Sequence, residues 1–280
     1  MLPFNFDYFK PKTYQEAVNL YRRFKEQNRT PYYISGGTEL LTLGRLDQDY
    51  AEVVIDLKGI SDYQSIAFSE DYLVIGAGAS LTDIVESDAF PLLSQTAGDI
   101  ADRTARNKIT IGGNICGQFF YREAVLPLLL TECYVGVVSE TGITYSPIHP
   151  LFNGHMMLQE GSFICSLLID RSYLTLPHIS IKRRMQWDMG YPLVTVAALK
   201  TDEGIRMAFS GVCPFPFRSD EMESRLNDTQ LPIEERVEQA LTYLPSPVLN
   251  DVEGSSDYRL FVLKNTMFDA IQAIEGSALE

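Results

Sequence analysis

Two glycine pairs are the residues of this chain best placed to hold a ligand. Gly36-Gly37 lies within Ser35-Gly36-Gly37-Thr38-Glu39-Leu40, and Gly112-Gly113 lies within Thr110-Ile111-Gly112-Gly113-Asn114. Each pair follows an apolar, β-prone run, Tyr32-Tyr33-Ile34 in one case and Ile109-Thr110-Ile111 in the other, and precedes a small polar residue. Without Cβ atoms, glycines let backbone N–H groups turn outward and let a ligand approach the main chain closely, as a pyrophosphate requires. Two such loops could grip one diphosphate from two sides. A glycine pair after a strand is also, most often, only a turn, and neither segment has G-x-G-x-x-G or Walker A spacing. The glycines alone therefore leave the ligand open.

Other chemistry has little to start from. The four cysteines, Cys116, Cys133, Cys165 and Cys213, are widely separated, with no C-x-x-C pair. Zinc sites and iron–sulfur clusters need clustered thiolates, so neither is expected here. Reduced, mostly buried, cytoplasmic cysteines are the expectation. None of the three histidines, His149, His155 and His178, has an acidic pair nearby in sequence, and each reads as structural. No nucleophile or acid–base set emerges, so no catalytic residue is assigned.

The composition sets outer bounds. A chain of 280 residues with 45% hydrophobic content can bury a sizeable core and is long enough for two domains. Its net charge of -14 argues against nucleic acid or an anionic membrane as partner, although Lys182-Arg183-Arg184 forms a local basic cluster. No apolar run reaches about 18 residues, so no membrane span is expected. Met1-Leu2-Pro3-Phe4-Asn5-Phe6-Asp7 lacks the basic start and apolar stretch of a secretory signal, and a cytoplasmic location follows as an expectation.

The elements that must position the glycines are legible. Thr13-Tyr14-Gln15-Glu16 reads as a capping box, and Ala17, Leu20, Tyr21 and Phe24 recur at helical spacing, predicting a helix from about Thr13 to Asn28. Tyr32 to Ser35 reads as a strand, Thr38 to Leu46 as a turn and short helix, and Val53 to Leu57 as a strand. The result is a β-α-β lobe with the first glycine pair at a strand end, before a helix whose N–H groups and dipole favour an anion. Ser65 to Phe68 and Tyr72 to Ile75 form a predicted hairpin. Gly76 to Ser80 lead into a helix with Ser80 and Asp83 as capping pair. Ala124 to Thr131 reads as helical, Tyr134 to Ser139 and Ile143 to Tyr145 as a hairpin, and Phe163 to Ile169 as a strand. Beyond these, Ile179 to Lys182, Leu193 to Leu199 and Ile205 to Gly211 predict a three-stranded antiparallel sheet. Helices near Asp220 to Leu226, Ile233 to Tyr243 and Tyr258 to Ile274 would cover one face.

With these residues in place, the chain resembles the FAD-binding medium subunit of the molybdenum hydroxylases, the xanthine dehydrogenase and carbon monoxide dehydrogenase flavoprotein family. That family's first loop reads approximately A-G-G-T-D-L, which Ser35 to Leu40 matches with Ser for Ala and Glu for Asp. Its second reads approximately R-N-x-A-T-I-G-G-N, which Arg106 to Asn114 matches with one change. Phe4 to Leu20 and Asp251 to Glu275, with Asp257-Tyr258-Arg259, resemble the family's opening and closing elements, so the likeness runs the full length.

The resemblance implies an α+β fold. A two-lobed PCMH-type FAD-binding domain would span 1–172, with a β-α-β lobe over 1–57 and a mixed or antiparallel lobe over 58–172. A small α+β domain of carbon monoxide dehydrogenase flavoprotein type would span 173–280. It implies FAD as cofactor, held by Ser35, Gly36, Gly37, Thr38, Glu39, Leu40, Thr110, Ile111, Gly112, Gly113 and Asn114 at the pyrophosphate and ribityl region. Glu123 stands where relatives place an Asp that bonds the flavin's polar end, Ile164 where an apolar residue packs near the ring, and Lys182 where a lysine reaches back toward the flavin. Arg183 and Arg184 read as a surface cluster. Where relatives carry small or polar residues, this chain has Phe119, Phe120 and Tyr121, which either pack in the core or stack on or partly fill the flavin site. The implied partners are a molybdopterin-binding large subunit and a small subunit with two [2Fe-2S] clusters, in a xanthine dehydrogenase-like complex passing electrons to NAD or another acceptor. A flavin-free scaffold subunit and a self-contained FAD oxidoreductase are the competing readings.

Overall fold

The structure, a computed structural model, describes residues 4–185 and 190–276. Met1, Leu2 and Pro3, the start of the segment read for a secretory signal, lie outside the described residues. The first lobe is a parallel sheet of β1 (Asp7–Phe9), β2 (Pro31–Ile34) and β3 (Val53–Asp56), in the order β1-β3-β2. The crossovers are α1 (Tyr14–Glu26) and α2 (Thr38–Arg45). Thr13 caps α1 by accepting the Glu16 N–H, while the Glu16 carboxylate reaches back to the Lys12 N–H, one residue earlier than a capping box requires. Val53, Ile55, Ala17 and Phe24 close the lobe's core.

A second sheet is antiparallel throughout, in the order β4-β5-β8-β6-β7. It comprises β4 (Ile66–Phe68), β5 (Tyr72–Gly76), β6 (Tyr134–Ser139), β7 (Gly142–Pro147) and β8 (Phe163–Asp170). Between β5 and β6 the chain forms α3 (Leu81–Ser87), α4 (Pro91–Gly98), α5 (Arg103–Arg106), α6 (Ile111–Cys116) and α7 (Leu126–Leu130), and α8 (Ile148–Leu151) precedes β8. The expected Ser80 and Asp83 capping box opens α3. The stretch from Ala124 to Thr131, expected as one helix, divides into a 3₁₀ turn over Glu123–Val125 and α7, with Pro127 in the helix's first turn.

The C-terminal sheet corrects the expectation of three strands. It has four, in the order β12-β11-β10-β9: β9 (His178–Arg183), β10 (Val194–Thr201), β11 (Gly204–Ser210) and β12 (Phe217–Arg218). β12 is two residues long, too short to show periodicity. α9 (Asp220–Leu226), α10 (Ile233–Leu241) and α11 (Ser256–Gly276) complete the chain. Along β10 successive side chains serve opposite faces. Val194, Val196 and Ala198 join the C-terminal core, while Ala197 and Leu199 join the core shared with the two preceding sheets. A sheet covered on both faces explains why β10 reads as a continuous apolar run. Arg259 is fully buried and donates to the carbonyls of Leu193 and Gly211, at the ends of the inner strands β10 and β11, and to Asp251.

Among the described residues, no helix is long and apolar enough to cross a membrane, and no cluster of His, Cys, Asp or Glu could hold a metal.

Candidate functional site

β2 ends at the carboxyl edge of the parallel sheet, and the chain then turns through Ser35, Gly36 and Gly37 into α2. The turn is fixed from below. Lys58 donates to the Ser35 carbonyl and to Asp56, which also accepts the Tyr8 hydroxyl at 2.6 Å. Burial alone would raise the Asp56 carboxyl, but the bonds from Lys58 and Tyr8 outweigh it and hold the group below its ordinary value. Gly36 is glycine for space: a Cβ there would lie 2.0 Å from the Lys108 carbonyl oxygen. Gly37 is glycine for conformation, with φ of +71° in the left-handed region.

As the N-cap of α2, Gly37 has no side chain to satisfy the amides of Thr38, Glu39 and Leu40. Glu39 does not cap them either, because its carboxylate crosses to the second segment and accepts the N–H groups of Gln118 (2.6 Å) and Phe119 (2.8 Å). The start of α2 is thus a set of free donors at the positive end of a helix dipole, suited to an anion.

The second glycine pair differs from the loop expected. Residues Ile111–Cys116 are helical, with Thr110 as N-cap. The Ile111 N–H donates to Ala79 O, that of Gly112 to Ala77 O, and that of Gly113 to Thr110 Oγ1. Those amides donate inside the fold, whereas those at the start of α2 have no side-chain cap. A Cβ on Gly112 would lie 2.8 Å from Ala77 Cβ, so this glycine lets α6 pack against the chain after β5.

Between the two segments lies an open cavity of about 680 Å³, within the range of cofactor sites. Of the residues expected at the site, Ser35, Gly36, Gly37, Thr38, Glu39, Leu40, Thr110, Gly113, Asn114, Glu123 and Lys182 line it. Ile111, Gly112 and Ile164 do not. Ile111 and Gly112 are buried behind the wall, and Ile164 sits within β8, 3% exposed and opposite Val137. Phe119 and Tyr121 stand in the cavity wall without closing it, whereas Phe120 packs on Tyr121 outside the wall. Tyr121 stacks on Tyr191, another wall residue, with ring centroids 4.6 Å apart.

The lining also includes a buried ion pair. Lys182 Nζ donates to Glu123 Oε2 at 2.8 Å and to Asp99 O at 3.0 Å, and Thr195 Oγ1 donates to Glu123 Oε1 at 2.6 Å. The side chains of Lys182 and Glu123 are only 2% and 5% exposed. Arg183 pairs with Asp269 at the surface, as expected, but Arg184 is largely buried and holds Asp99, which removes it from the expected surface cluster.

Sequence reasoning missed Tyr32, Asp49, Arg122, Tyr191 and Thr195. The Tyr32 hydroxyl donates to Asp49 in the wall. Arg122 adopts a left-handed backbone (φ 37°) that nothing in its sequence neighbourhood announces.

The cavity thus combines free helix-start amides, aromatic walls and a buried polar pair. That arrangement fits an elongated dinucleotide bearing a diphosphate. Residues 4–170 match the family model described as the FAD binding domain in molybdopterin dehydrogenase. The chain belongs to that family. FAD is therefore its cofactor, and the subunit is the FAD-binding medium subunit of a molybdenum hydroxylase, an oxidoreductase. The xanthine dehydrogenase FAD-binding subunit of Escherichia coli O157:H7 is 24% identical, over 96% of this chain and 97% of that one. The carbon monoxide dehydrogenase medium chain of Hydrogenophaga pseudoflava is 26% identical, over 92% and 93%. In fold, quinoline 2-oxidoreductase from Pseudomonas putida 86 superposes with a TM-score of 0.87 at 21% identity, covering 100% of both chains. Carbon monoxide dehydrogenase from Hydrogenophaga pseudoflava gives 0.86 at 23% identity, covering 99% of each.

Proposed function

We propose that this subunit is the electron-transfer element of a xanthine dehydrogenase-like complex. It receives electrons from [2Fe-2S] clusters of a small partner subunit, fed by a molybdopterin-binding large subunit, and passes them to NAD or another acceptor. Bound FAD would supply the redox chemistry through its isoalloxazine ring, and the chain supplies binding, orientation and local polarity. The amides of Thr38, Glu39 and Leu40 hold the diphosphate. Asn114, whose Oδ1 is fixed by the Ala124 N–H, turns its remaining amide donors to the ribityl region. Glu123 and Lys182, locked to each other and to Thr195, meet the polar end of the ring.

The observation that carries this reading is a single cavity joining an uncapped helix start to a buried Glu–Lys pair. We also take the chain as two units, 1–172 and 173–280, with the Glu123–Lys182 bond between them. An absorbance spectrum from about 300 to 550 nm, taken after adding FAD and removing the excess, tests the reading. Near one equivalent of retained two-band flavin is expected. A colourless chain that still joined molybdenum and iron–sulfur partners would instead make it a scaffold.

A further inference from the structure

The charges around the cavity do not suit a diphosphate without help. Its wall carries Glu39, Asp49, Asp102 and Glu123 against Arg122 and Lys182. Lys182 is committed to Glu123. That leaves Arg122 as the one lining cation with no carboxylate partner among the described residues. Its Nε donates to Gly117 O at 2.6 Å, and its two terminal nitrogens donate to Gly154 O at 2.7 Å and Gln118 O at 3.4 Å. A guanidinium has about five N–H donors, so some remain unspent.

The position is as telling as the charge. Arg122 grips the carbonyls of Gly117 and Gln118, while Glu39, the second residue of α2, accepts the N–H groups of Gln118 and Phe119. The guanidinium and the Glu39 carboxylate therefore hold the same short turn, Gly117 to Phe119, and Arg122 lines the cavity together with Thr38, Glu39 and Leu40 at the start of α2. Half-burial opposes the charge on Arg122 and pulls the group below its ordinary value, with Glu39 only partly compensating. A partly desolvated cation held only by carbonyls is stabilised by an arriving anion.

We infer that Arg122 is the cationic partner of the FAD diphosphate in this site, acting with the start of α2. The inference rests on the FAD reading above. It assigns direct phosphate contact to a residue that precedes Glu123 and has no counterpart in the glycine motifs.

The test compares two ligands that share the flavin ring but not the phosphates. FAD and riboflavin are titrated into the full chain and into Arg122→Gln, following flavin fluorescence. Loss of a charge-assisted contact predicts FAD binding weakened roughly ten- to a hundredfold, with riboflavin binding unchanged within about twofold. Equal weakening of both ligands would make Arg122 a loop support and overturn the proposal, as would unchanged FAD affinity. Should Arg122→Gln fail to fold, Arg122→Lys serves for the same comparison. Lys keeps the charge and loses the fork, so a smaller loss confined to FAD is expected, and loss shared by riboflavin again overturns it. A wild-type chain that binds neither ligand would refute the FAD reading itself, and this proposal with it. FAD bound equally by wild type and Arg122→Gln refutes this proposal alone.

Discussion

Removing Lys182 should cost this fold several kilocalories per mole, because the pair it forms is sealed. Lys182→Met leaves the Glu123 carboxylate 5% exposed, with the Thr195 hydroxyl as its remaining partner. It also strips the Asp99 carbonyl of a donor. Breaking a buried ion pair from one side costs about 3–5 kcal/mol, whereas an exposed pair is worth about 0–1 kcal/mol. The larger figure is a substantial share of a total stability of about 5–15 kcal/mol. The distinguishing feature is non-additivity. Glu123→Gln alone leaves a buried ammonium, but Glu123→Gln with Lys182→Met leaves no charge, and its Gln can still accept from Thr195. The double variant should therefore be more stable than the Lys182→Met single. Urea unfolding of the FAD-free chain, followed by circular dichroism, measures each corner of the cycle without added stabilisation by ligand. Single variants that each lose under about 1 kcal/mol, and that sum in the double, would show the pair to be solvated and refute the reasoning.

Two further outcomes separate ligand positions from packing positions. Gly113→Val places its Cβ 2.9 Å from Thr110 Oγ1 at a position that lines the cavity. It should lose most retained FAD, measured by absorbance, at a stability cost of about 1 kcal/mol for the disturbed cap, a Tm fall of roughly 2–4 °C. Gly112→Ala, whose Cβ meets Ala77, should show the reverse balance, with about 1–3 kcal/mol of overpacking and a smaller change in FAD retained per folded molecule. The Asp56 carboxyl, held below its usual 3.8, contributes stability that is present above that value and lost as pH falls through the lower folded value. The destabilisation by Asp56→Asn, read from urea midpoints, should therefore be larger at pH 7 than near pH 3.

Much of the fold was legible because its signals are local. Thr13 and Ser80 announce helix starts, and alternating or continuous apolar runs mark most strands from Tyr72 onward. What failed locally failed for tertiary reasons. Residues 109–111 look β-prone, yet Ile111 and Gly112 donate to the carbonyls of Ala79 and Ala77, and that pairing starts a helix. β12 exists because β11 offers an edge to Phe217 and Arg218, not because two residues carry a pattern. Arg184 carries the mark of a solvated basic cluster and is instead drawn under Asp99. At the site, Glu39, Glu123 and Lys182, which line the cavity, were named only through the resemblance to the flavoprotein family and not by any local pattern. Thr195 was not named: only the alternation along β10 turns it toward Glu123, and that direction depends on which face the sheet buries.

The two glycine pairs share a sequence pattern and divide the physical work. Gly37 leaves amides unpaired at a helix start, and that deficit is what an anion can fill. Gly112 spends its amide on Ala77 and its missing Cβ on close packing, which seats α6 against the chain after β5, with Gly113 and Asn114 in the cavity wall. Glu39 makes the two halves one structure, since its carboxylate, placed by α2, fixes the amides of Gln118 and Phe119. The same tie sets where Arg122 can stand. An acidic first-turn residue would ordinarily satisfy its own helix. Here it is turned outward to build the opposite wall, so the helix start proposed for the diphosphate is left uncapped by the same side chain that ties the two segments together.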